Sequence, residues 1–155
     1  MQAILHNIRS IHNVGSMFRT ADGLGVEKLY LTGYTPEPID RFGRKRQKLS
    51  KVALGAEDTV DWESEESILD LINILEAENT KVCACEPTDS AVPVDKLTTR
   101  NPSLCLVFGN EVDGLPKKVI EASDQTVKIP MRGTKSSLNV AVAFGILTYQ
   151  VIDKI

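Results

Sequence analysis

The sequence predicts an α/β fold, a mostly parallel sheet with helices on both faces, and three observations point to it. Several short runs are apolar on both faces, LCLVFG (104–109) above all, and a strand of that kind has to be covered above and below. Between the runs lie segments of helical period, clearest in SEESILDLINILEAEN (64–79), where Ile68, Leu71, Ile72 and Leu75 form one stripe. The strands end in glycine-rich or polar turns, where α/β sheets bind their ligands. At 155 residues the whole chain, 1–155, fits one domain with a continuous core.

AILHNI (3–8) reads as the first strand, and 13–24 as a helix ending at Gly25. EKLYLTG (27–33) and DTVDW (58–62) are the next two strands. In 64–79, Ser64 can cap the helix, while Glu65 and Glu66 suit the positive end of its dipole. KVCACE (81–86) is a strand, EPTDSAVPVDK (86–96) a long polar connection, and LCLVFG the following strand. A short helix is expected after Pro116, then the strand TVKIP (126–130). The last helix, about 137–153 and opened by Ser136 or Ser137, is apolar almost all round. That is more apolar surface than one sheet face needs, so it is expected to pack against a second chain as well.

Composition excludes several classes. With 42% hydrophobic and 25% charged residues the chain is neither fibrous nor disordered. No apolar run reaches the length of a membrane span, and MQAILHNIRSIHN lacks the features of a signal peptide, so the expected compartment is the cytoplasm. Three cysteines without a C-x-x-C pair argue against a disulfide framework and a zinc site, and no other metal-ligand cluster is expected. No G-x-G-x-x-G follows the first strand, which leaves a dinucleotide pocket without support. His6 and His12 stand in no Ser/His/Asp arrangement and read as local hydrogen-bonding groups.

The net charge of −3 hides a local patch. RFGRKRQKLSK (41–51) holds six Lys/Arg and no acid, and beyond about 8 Å the remote carboxylates are largely screened at physiological salt. A solvated loop is one reading. The other is an RNA contact through Arg41, Arg44, Lys45, Arg46 and Lys48, with Phe42 able to stack on an unpaired base.

Three strand-to-helix junctions concentrate polar residues. The first is NVGSMFRTADGLG (13–25), with Asn13 and Arg19; the second is LVFGNEVDGL (106–115), with Gly109, Asn110, Glu111 and Gly114. The third is IPMRGTKSSLNVAVA (129–143), with Gly133, Ser137 and Asn139. Each alone has an ordinary structural explanation as a cap or a turn.

In this order the three resemble the sequence motifs of the SpoU/TrmH group of SPOUT RNA methyltransferases, over nearly the whole chain. The first motif is carried by Asn13, Arg19, Ala21 and Gly25, and the basic segment also resembles members without an added RNA-binding domain. Departures are modest: Val112 stands where glycine is common, and Ala141 where serine often stands. The resemblance implies a stand-alone catalytic domain with a deep trefoil knot near the C-terminus, against the general rarity of threaded chains, and a homodimer. It implies transfer of a methyl group from S-adenosylmethionine to a ribose 2′-hydroxyl of tRNA or rRNA. Asn13, Arg19, Glu111, Ser137 and Asn139 would then be the catalytic set. The cofactor would be held by Leu106, Val107, Phe108, Gly109, Asn110, Glu111, Gly114, Ile129, Met131, Ser137 and Leu138. Arg19 is expected to clamp a phosphate and stabilise the developing alkoxide, since a guanidinium keeps its protons, although the arginine as general base stays open. The competing reading is a non-catalytic RNA-binding module with the same fold.

Overall fold

The computed structural model describes residues 1–98, 103–152 and 154. Strands β1 (Gln2–His6), β2 (Lys28–Thr32), β3 (Asp61–Glu65), β4 (Lys81–Cys85), β5 (Val92–Pro93), β6 (Leu104–Phe108) and β7 (Gln125–Lys128) form one sheet in the order β3-β2-β1-β6-β4-β7-β5. Every pairing in it is parallel. Helices α1 (Ile11–Leu24), α2 (Gln47–Ala53), α3 (Ala56–Thr59), α4 (Ile68–Ala77), α5 (Lys117–Ala122) and α6 (Val140–Ile152) cover it, with a 3-10 turn at Val94–Lys96.

Strand alternation divides the core in two. Ala3, Leu5, Leu104 and Leu106 pack on Val14, Met17 and Phe18 of α1 and Phe144 and Leu147 of α6. Ile4, Val82, Cys105 and Val107 face the other way, onto Leu71, Ile72 and Leu75 of α4 and Val119 of α5. Both faces of β6 are thereby sealed, as its uninterrupted apolar sequence requires. The strand order reverses between β1 and β6, which pair side by side; the first two motif-bearing turns leave the carboxyl ends of these strands, and the third leaves that of β7, on the far side of β4.

Several boundaries differ from the sequence reading. Asp58 and Thr59 belong to α3, and the third strand is Asp61–Glu65, so Ser64 and Glu65 pair with β2 rather than open a helix. The cap of α4 is Ser67, whose hydroxyl accepts the Asp70 N–H at 3.2 Å. Sheet pairing drew in a segment whose local chemistry also suited a helix start. Likewise α1 begins at Ile11 with Ser10 as its cap, and Gly25, at φ +69°, closes it in the left-handed region. The basic segment is a loop only to Arg46, because Leu49 and Ala53, one helical turn apart, bury α2 against α1. In 86–96, Val92–Pro93 adds a short edge strand and Val94 is buried. The last helix starts at Val140, not 137, because the Asn139 side chain accepts the Ala141 and Val142 N–H groups and thereby caps it. Position 153, its expected end, lies outside the described residues. No helix among the described residues is long and apolar enough to cross a membrane.

Candidate active site

The turn after β6 is built around Asn110. Its side-chain oxygen accepts the Val112 and Asp113 N–H groups at 2.8 and 2.9 Å, and its carbonyl accepts the Gly114 N–H at 3.0 Å. Its amide donates to the Asn7 carbonyl at 3.0 Å and the Tyr34 hydroxyl at 2.8 Å, tying the turn to the ends of β1 and β2. A Cβ on Gly109 would sit 2.6 Å from the Gly114 carbonyl carbon, so only glycine lets the turn fold back on its own start.

Glu111 joins the three motifs. Its carboxylate accepts the Arg9 N–H at 2.9 Å, the Ser10 N–H at 3.0 Å and the Asn13 side-chain amide at 2.8 Å. Asn13 in turn accepts the Asn139 amide at 3.3 Å. Burial pushes the Glu111 carboxyl up, but the donors from Arg9, Ser10 and Asn13 outweigh it and hold the group below the usual carboxylate range. Glu111 is therefore an ionised brace at neutral pH, not a proton donor.

Beside this brace lies a cavity of about 280 Å³ between the carboxyl ends of β6, β4 and β7 and the start of α6. Phe108, Gly109, Asn110, Glu111, Gly114, Ile129, Met131, Ser137 and Leu138 line it. Leu106 and Val107 do not: each is fully buried within β6, on opposite faces, under α-helices. The sequence reading missed Glu86 and Cys85, which also line it. Glu86 follows β4, accepts the Leu115 N–H at 3.0 Å, and is pushed above the usual carboxylate range by burial. It lies so close to Gly114, at φ +69°, that a Cβ there would come within 2.5 Å of Oε1. The position of β4 beside β6 was the signal available for it, since neighbouring strands share one carboxyl edge. Burial pushes the Cys85 thiol well up, so it presents a neutral wall and no nucleophile.

Residues 1–149 match the sequence model of the SpoU rRNA Methylase family. The chain belongs to that family. It is 31% identical over 150 residues to the 23S rRNA (guanosine-2'-O-)-methyltransferase RlmB of Escherichia coli, covering 96% of this chain and 58% of that one. The chain thus spans little more than half the length of these curated relatives. Among solved structures, an AdoMet-bound rRNA methyltransferase from Sinorhizobium meliloti superposes with a TM-score of 0.86 at 25% identity, over 96% of this chain and 54% of the other. A structure concerned with 2-OH methylation of C/U34 on tRNA superposes at 0.80 with 30% identity, over 99% of this chain and 94% of the other.

In this SpoU chain the fold brings Asn13, Glu111 and Asn139 together and sets Ser137 in the cavity wall, but it does not bring Arg19 to them. Arg19 is exposed on α1, outside the cavity, without a hydrogen-bond or ionic partner among the described residues. Thr20, next to it, borders a second, apolar groove with Gly145, Ile146 and Tyr149 of α6. The basic segment is ordered by its own contacts. Asp40 accepts the backbone N–H groups of Phe42 and Arg44 and pairs with the Arg44 guanidinium at 2.9 Å. Arg41 and Arg44 lie 4.7 and 5.0 Å from the Phe42 ring centre. Lys45 pairs with Asp58, Arg46 donates to the Ile39 carbonyl, and Lys48 is exposed on α2. No cluster that could hold a metal ion occurs among the described residues. His6 is buried, its Nδ1 within 2.8 Å of the Thr32 hydroxyl, and burial lowers its pKa, in keeping with a structural role.

Proposed function

We propose that this chain is an S-adenosylmethionine-dependent RNA 2′-O-ribose methyltransferase, acting on tRNA or rRNA in the cytoplasm as a knotted homodimer. The observation that carries the reading is the Asn139–Asn13–Glu111 chain of hydrogen bonds, which holds all three motifs against one cavity. The cavity suits the cofactor: Phe108, Ile129, Leu138 and Leu147 offer an apolar slot for adenine, and Glu86 and Glu111 are acceptors for a cationic ligand bearing hydroxyl groups. When bound, S-adenosylmethionine supplies an electrophilic methyl group.

The ribose O2′ would take the methyl group as the sulfur leaves with the carbon–sulfur bonding pair, and the hydroxyl proton would pass to an RNA phosphate oxygen, since a guanidinium keeps its own protons. Arg19 is assigned to the phosphate and the developing alkoxide; its planar fork can hold both oxygens at once. Its exposed place on α1, outside the cavity lining, supports supply from a partner protomer across the groove beside Thr20. Arg41, Arg44, Lys45, Arg46 and Lys48 are assigned to RNA phosphates. The first nucleotide to test is a pyrimidine at tRNA position 34, a choice supported by the 30% identity to the protein concerned with C/U34 methylation.

Total tRNA and rRNA incubated with enzyme and cofactor, followed by mapping of 2′-O-methyl sites, is the test. A new site is expected with the wild-type chain. Arg19→Ala is expected to lower the single-turnover rate on the order of 10²–10³-fold while calorimetric cofactor binding persists. Transfer to a base, or to no RNA, would overturn the reading.

A further inference from the structure

We infer that Tyr34 is the platform on which a base of the bound RNA stacks beside the cavity; this deepens the proposed function and rests on it. Tyr34 follows β2 across Gly33, whose φ of +66° turns the chain, and a Cβ on Gly33 would collide with the Asn7 side chain. The residue is 57% exposed, yet it is fixed at both ends. The backbone N–H donates to the Asn7 side chain at 3.2 Å, and the hydroxyl accepts from Asn110 at 2.8 Å. Asn7 is itself within 3.0 Å of His6 Nε2, and His6 is anchored to Thr32, so the support beneath the ring is continuous.

An aromatic ring left in water but locked in place is prepared for a flat partner, because little conformational freedom remains to be lost on contact. Bases offer such a partner whatever their sequence. Phe42, exposed at 65%, is the alternative platform, but Arg41 and Arg44 already lie over its ring. Among the described residues no cation or second ring lies over Tyr34. Position also favours Tyr34. Asn110, its partner, lines the cavity and adjoins Glu111, while the connection that starts at Tyr34 continues into the basic segment. An RNA strand following those cations arrives at this ring next to the cavity wall.

The test measures binding of the RNA identified for the wild-type chain to Tyr34→Leu and Tyr34→Phe. Both variants lose the hydrogen bond to Asn110; only the first loses the ring. Tyr34→Leu is expected to weaken RNA binding by about 5- to 150-fold, the range for one base–aromatic stack, with Tyr34→Phe close to wild type. Calorimetric S-adenosylmethionine affinity is expected to be equal in the two variants. Equal RNA affinity in both variants, or an undiminished Tyr34→Leu, would overturn the stacking role even if the wild-type enzyme methylates RNA. A wild-type chain that methylates no RNA would overturn the underlying reading, and the stacking role with it.

Discussion

Glu86 holds the end of the turn after β6 through Leu115, Glu111 ties the start of that turn to the opening of α1, and their surroundings drive the two in opposite directions. Glu111, held low by three N–H donors, contributes stability that is fully present above the ordinary carboxylate pKa of about 4.3 and is lost as pH falls through its lowered value. Glu111→Gln turns an amide N–H against those donors. Its melting temperature is expected to lie below wild type at pH 7, with the gap closing in acid. Glu86, raised by burial with only the Leu115 N–H opposing, stabilises the fold as the neutral acid and loses that contribution as pH rises through its raised value. Glu86→Gln keeps an acceptor for Leu115 and is expected to melt no lower than wild type at pH 7. Thermal melts of both variants across pH 3–8 check the pair of signs. Glu111 was singled out by the motif; its partners at Arg9 and Ser10 were not legible, because backbone donors a hundred residues away carry no residue-type signature. Glu86 was read as the start of a polar loop for the same reason, since its work is set by a neighbouring strand.

Helix α1 carries the first motif and is positioned by close contact with α2. At Gly15 a Cβ would stand 2.8 Å from the Leu49 carbonyl oxygen and 3.0 Å from Val52 Cβ, and the nearer obstacle is backbone. Gly15→Ala is therefore expected to push the two helices apart at a cost of about 1–3 kcal/mol. Differential scanning calorimetry should register roughly 2–4 °C of lowered melting temperature per kcal/mol. An unchanged melting temperature would mean the helices yield freely. Elements of strong period were legible: the buried strands, α1 with its Gly25 stop, and the apolar stripe of α4 are where the pattern put them. Short elements were not. The i,i+4 pair Leu49 and Ala53 was outvoted by the cations around it, and β5 consists of two residues whose pairing exists only because β7 passes beside them. Boundaries at β3 and α6 moved because sheet pairing and the Asn139 cap overrode local preference.

At the scale of the molecule, α6 leaves Val142, Ile146 and Tyr149 exposed on one stripe, and the last two line the groove bordered by Thr20 and Leu24 of α1. If a second copy covers this surface, Ile146→Glu is expected to convert a dimer to a monomer in light scattering at micromolar concentration, and to abolish methyl transfer by withdrawing Arg19. A dimer that survives the substitution would exclude this face. The strand order has a further consequence for synthesis. β6 lies between β1 and β4, and among the described residues it is the only strand that hydrogen-bonds to both. Until the ribosome has made residue 108, β4 has no bond to the β1–β2–β3 half, and Glu111 does not yet exist to brace Asn13. The chain therefore emerges as two separate fragments with exposed strand edges, a state prone to mispairing. β6 joins the two parts of the sheet, and the turn after it sets the second motif against the first, while the third motif follows only with β7 and α6. A nascent chain stalled before β6 can pair only β1, β2 and β3 and holds no site, so the joined sheet and the complete site are both late products of synthesis.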